Sequence, residues 1–166
     1  CLFEIEKELG LSNWLIENRI ILLSKKDGLK EQKEYLYYIR DKLSATTSLL
    51  AYYNSQKVES ELSFEQFNKR FKKSWDEYPN IRDYFYIKCN PLNEKIDKLE
   101  DFIYADSKLP IIDRYLGLKK AFYIILTDKN NYNLSIEKIK KYIFNLSKFI
   151  EDDELKPLLY NIRIYE

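Results

Sequence analysis

Apolar residues recur along this chain at three- and four-residue intervals almost from end to end, the spacing that lines one face of a helix. A short opening helix spans Leu2 to Leu9 and stops at Gly10, a natural C-terminal cap. Ser12 or Asn13 caps a second helix through Trp14, Leu15, Ile16 and Leu22 to about Ser24. Asp27-Gly28 marks a turn. A long helix then runs from roughly Lys30 to Asn54, with Leu36, Ile39, Leu43, Leu50 and Tyr53 on its apolar face. Its middle, Ser44-Ala45-Thr46-Thr47-Ser48, reads as a solvent-facing stretch, with a kink or a close helix crossing as the alternatives.

Residues 55–62 are polar and read as a loop. Ser63 opens the best-specified helix of the chain. Ser63 and Gln66 form a capping box, and Leu62 and Phe67 suit a hydrophobic staple. Phe64, Phe67, Phe71, Trp75 and Tyr78 make one aromatic stripe, expected to be buried, and Pro79 ends the helix. Residues 80–88 fit a short helix better than a strand, because no partner strand is in sight. Pro91 begins another, with Leu92, Ile96, Leu99 and Ile103 on one face, ending before Pro110. Residues from about Ile111 to Leu126 are apolar on several sides, the mark of a central, largely buried helix. After a turn at Asp128-Lys129-Asn130-Asn131, Ser135 caps a helix carrying Ile136, Ile139, Ile143, Leu146 and Ile150, and a short final helix starts near Asp153. The expected fold is therefore all-α: a single domain over residues 1–166, built as a multi-helix bundle or short helical array of about seven helices. Leu62-Ser63-Phe64-Glu65 and Leu134-Ser135-Ile136-Glu137 resemble each other, but a shared capping motif explains that without a repeat.

Composition narrows the chemistry more than it widens it. None of the 166 residues is histidine. That removes the commonest general base and metal ligand, and with it any Ser-His or Cys-His pair within the chain. Two cysteines cannot build a four-thiolate zinc site, and three glycines cannot make a Gly-rich phosphate loop. No catalytic residue, metal site or cofactor is expected. An enzyme working with Glu, Asp, Tyr or Lys alone stays open as a third class. A net charge of +1 gives no global attraction to nucleic acid or to anionic membranes, and no apolar run is long enough to span a bilayer. The chain opens on Cys1 and has no methionine, which reads as a processed or trimmed chain. A lipid anchor at Cys1 is one reading of that terminus, and Cys89 reads as a half-buried thiol.

Two surfaces remain as candidates for binding. The first is aromatic. There are 15 tyrosines, some of which reflect AT-rich codon usage. Consecutive helical residues point in divergent directions, so at least one of Tyr35, Tyr37 and Tyr38 must leave the core, and the same holds for Tyr84, Phe85 and Tyr86. Tyrosine tolerates a half-wet position, so Tyr37, Tyr38, Tyr84 and Tyr86 are the expected contacts to a protein partner or a second copy. The second is basic: Lys69, Arg70, Lys72 and Lys73 on one helix and Lys138, Lys140 and Lys141 on another, placed to contact nucleic acid if the two faces are coplanar. Dipole complementation and solvation account for both lysine clusters without a ligand. The acidic run Glu151-Asp152-Asp153-Glu154 lacks the alternating oxygen ligands and turn glycine of a calcium loop. The expected function is a non-enzymatic helical protein–protein interaction module (an adaptor, an accessory subunit or a surface lipoprotein domain), with a nucleic-acid-binding accessory domain as the alternative.

Overall fold

A computed structural model describes residues 1–77, 79–89, 99–106, 109–127, 141–145, 148, 152 and 153. Every regular element among them is helical and none is a strand, so the chain is all-α. Its contacts fall into two compact units, Cys1–Asn90 and Pro91–Glu166. In the first unit the elements are α1 (Leu2–Leu9), α2 (Asn13–Lys26), α3 (Leu29–Ile39), a 3-10 turn (Arg40–Lys42), α4 (Ala45–Ser60), α5 (Phe64–Trp75) and α6 (Pro79–Cys89). In the second they are α7 (Leu99–Asp106) and α8 (Ile111–Thr127), with residues 141–145 also helical.

Local chemistry sets the boundaries. Ser12 caps α2, its hydroxyl accepting from the Leu15 amide at 3.1 Å. Gly28, at φ +100°, gives the backbone a turn into α3 that L side chains rarely adopt. The expected long helix breaks in two: α3 ends at Ile39, and Ser44 caps a new helix by accepting from the Thr47 amide at 3.2 Å. The Ser44–Ser48 stretch is thus a helix start. Short polar side chains compete for backbone amides there, which breaks a helix more readily than it decorates one. The polar loop expected at 55–62 is displaced as well. α4 continues through Ser60, because Ser55 and Val58 pack inward, and it ends on Glu61 in the left-handed conformation. The Ser63–Gln66 capping box is present in both directions, at 3.2 and 3.0 Å.

The core of the first unit joins α2, α3 and α4. Ile16, Ile20, Tyr35, Ile39 and Ala51 form its buried cluster, with Leu11, Leu23, Leu36, Leu43 and Val58 packed around it. One polar link crosses this core: buried Gln32 donates from Nε2 to Ser55 Oγ at 2.6 Å. A second, aromatic layer fastens α4, α5 and α6. The Tyr53 and Trp75 rings lie 5.2 and 5.5 Å from Phe85, and Phe64 stacks on Phe85 at 5.5 Å. Trp75 is buried, as the stripe requires. Asn68 completes the layer, its Oδ1 accepting from both Trp75 Nε1 and the Tyr86 hydroxyl at 2.6 Å each.

In the second unit α7 packs on α8. α8 buries Asp113, Tyr115, Leu118, Ala121 and Phe122 and exposes Ile111 and Tyr123. Asp152 accepts from both the Tyr115 hydroxyl and Lys119 Nζ, the latter at 2.9 Å. The remaining helical expectations, residues 91–98, 135–140, 146–147, 149–150 and 154–161, lie outside the described residues. No described helix is long and apolar enough to cross a membrane. Cys1 is exposed, Cys89 is half-buried, and neither is in a disulfide.

Candidate functional site

The inward positions of α3 are Gln32, Tyr35, Leu36 and Ile39, an i, i+3, i+4, i+7 stripe. At about 100° per residue, Tyr37 and Tyr38 must then point away from the core. They do: Tyr37 is 71% exposed and Tyr38 61%. The chain turns sharply just after them. The 3-10 turn brings two cations back over the two rings, Arg40 Cζ 4.9 Å from the Tyr37 centroid and Lys42 Nζ 3.7 Å from that of Tyr38. Each pair presents an aromatic edge and a cation to solvent together, a contact worth about 0.5–1 kcal/mol at such exposure. Arg40 Nε also reaches Asp41 at 3.2 Å, whereas Lys42 has no carboxylate partner among the described residues.

The other two expected tyrosines are placed differently. Tyr84 is buried, and Tyr86 is half-buried with its hydroxyl given to Asn68. The cause is α6 itself. It packs against both α4 and α5, so Tyr84, Phe85, Ile87 and Lys88 all lose solvent together. The exposed aromatic surface on α3 therefore consists of Tyr37 and Tyr38 without the α6 pair.

On α5, Lys69, Arg70, Lys72 and Lys73 are all exposed, opposite the aromatic stripe. Exposed Glu65, Asp76 and Glu77 interleave with them, so the local field is weak. Lys141 is exposed in the second unit, while Lys138 and Lys140 lie outside the described residues. Among the described residues no group of three His, Cys, Asp or Glu side chains could hold a metal ion. Asp152, from the acidic run, is engaged by Tyr115 and Lys119.

One constellation has no signature in the sequence. Arg19 of α2 pairs with Glu6 of α1, and its guanidinium lies 4.2 Å from the Tyr35 ring centroid and 5.6 Å from that of Phe3. The Glu6 and Arg19 side chains are only 14% and 17% exposed. The buried Tyr35 hydroxyl sits beside Glu6 without a well-formed hydrogen bond. Burial first, and the Glu6 carboxylate second, raise its pKa well above that of an ordinary phenol. No spacing rule joins an acid, a base and two rings drawn from three helices, so only the fold brings them together.

No protein-family model, curated protein or solved structure matches the chain.

Proposed function

We propose that this chain is a non-enzymatic helical interaction module whose contact to a protein partner is centred on Tyr37 and Tyr38. One observation carries the reading: two adjacent tyrosines stand in solvent, each with a cation over its ring. Large aromatic and Arg side chains are enriched where proteins meet, because they bury much apolar area and keep a polar handle. α3 holds the pair rigidly, since Tyr35 and Ile39 on the same helix are fixed in the core. A short, stiff presenting element lowers the entropy lost on binding.

A photo-crosslinking residue at position 38 tests the reading, with the same residue at exposed Lys73 as control. The expected result is a discrete protein adduct, or a homodimer adduct, formed from position 38 alone and abolished by Tyr37→Ser. Equal labelling from both positions, or none from position 38, would remove the proposed contact.

A further inference from the structure

α1 is the least anchored α-helix of the first unit: none of its eight residues is buried. Its apolar side chains are half-exposed at Leu2 and Ile5 and largely exposed at Phe3 and Leu9. One focused polar contact ties it to α2. The Glu6 carboxylate meets the Arg19 guanidinium, which lies against the Tyr35 ring below and the Phe3 ring of α1 itself. The seat is built without α1. Arg19 belongs to α2 and Tyr35 to α3, and Tyr35 is fixed in the main core. Gly10, at φ +79°, links α1 to α2 with no heavy atom within 4 Å of where a side chain would start, so space around the joint is open.

We propose that this α2–α3 seat is a docking site for an amphipathic helix carrying a carboxylate, and that α1 is its displaceable resident ligand. The chemistry of the occupant is read from what the seat now holds. A planar guanidinium backed by an aromatic ring binds a carboxylate and packs a hydrophobic side chain at the same time. An acid followed or preceded within one turn by large apolar residues satisfies it, as Phe3, Ile5 and Glu6 do. An element with little buried area opens at low free-energy cost, well before the whole unit unfolds. α1 therefore leaves the seat intermittently while α2, α3 and α4 stay folded, and a partner helix of the same chemistry takes its place. Tyr38, of the exposed Tyr37–Tyr38 pair, lies one helical turn beyond Tyr35 on α3. The proposal stands even if that pair binds nothing.

Two measurements on the 166-residue chain test it. In hydrogen exchange, the amides of α1 are expected to exchange at least roughly tenfold faster than those of α2 in the same molecule. A labelled peptide of residues 1–10, with Cys1→Ser, is then titrated by fluorescence anisotropy against the parent chain, Glu6→Gln and Arg19→Gln. The Glu6→Gln chain, whose own latch is loosened, is expected to bind the peptide about tenfold more tightly than the parent. The Arg19→Gln chain, or a peptide that itself carries Glu6→Gln, should bind far more weakly. If Arg19→Gln fails to fold, Arg19→Lys replaces it: it keeps the charge, loses the planar fork, and should still weaken binding. Protection of α1 equal to that of α2 would overturn the proposal, as would peptide binding indifferent to Arg19 or absent from the Glu6→Gln chain.

Discussion

Asn68 does more for the first unit than its half-buried position on α5 suggests. Its single carbonyl oxygen takes both the indole N–H of Trp75 and the hydroxyl of Tyr86, tying two turns of α5 to α6. Asn68→Ala takes this acceptor away from the Trp75 indole and the Tyr86 hydroxyl, and should destabilise the chain by about 1–3 kcal/mol in chemical denaturation. Trp75→Ala removes a buried ring from the same layer and should cost roughly 3–5 kcal/mol. If Trp75→Ala melted like the parent, the aromatic stripe would not be a core. The stripe itself was legible, since Phe64, Phe67, Phe71 and Trp75 share one helical face and a face that apolar is buried. Asn68 was not. Its role depends on Tyr86, eighteen residues away on another helix, and no local pattern encodes that meeting. The same reasoning explains the tyrosines. Divergence of neighbouring side chains foretold that some must leave the core, and on α3 it was Tyr37 and Tyr38. On α6 burial by α4 and α5 claimed Tyr84, and that neighbourhood has no trace in residues 79–89.

Between elements, short polar caps punctuate the chain alongside glycine and proline. Ser12, Ser44 and Ser63 each start a helix by accepting a backbone amide. Only the cap at Ser44 conflicts with the apolar periodicity, which runs on through Leu43 and Leu50 as if the helix were unbroken. Periodicity survives a break when the two pieces pack on the same core, so the capping residue is the better guide to the boundary. Ser44→Ala should therefore cost about 1 kcal/mol. The opposite sign is expected at the far end of α4. Glu61 takes the left-handed conformation at φ 51°, a geometry that strains a residue with a side chain. Glu61 is exposed, so little is lost with its carboxylate. Glu61→Gly should raise stability by a few tenths to about 1 kcal/mol, the relief of strain being partly offset by a more flexible unfolded chain. A lower midpoint for this variant would mean that Glu61 makes a contact that matters more than its backbone.

Over the whole molecule, the absence of histidine acts on stability as well as on chemistry. No imidazole titrates between about pH 5 and 8, so the stability curve should be nearly flat through that range. The buried phenols set the alkaline limit. Burial, with lesser contributions from Cys89 and Glu17, pushes the Tyr53 hydroxyl up to about 12, and burial with the Glu6 carboxylate raises that of Tyr35. In the unfolded chain both hydroxyls ionise near the ordinary value of about 10. Above that pH the native state holds protons that the unfolded state gives up, so stability must fall as pH rises. The loss begins near the unfolded value and continues through about 12 for Tyr53. Below the unfolded value the contribution is fully present and constant. Melting temperature should accordingly hold steady from about pH 6 to 8 and drop steeply above about 10. Tyr53→Phe cannot ionise at that position, and its alkaline decline should be shallower than the parent's while the neutral plateau keeps its shape. Phenolate absorbance gives an independent check. The buried Tyr35 and Tyr53 should ionise only as helicity is lost. Full phenolate absorbance in a chain still helical would mean that neither Tyr35 nor Tyr53 is sealed in the core.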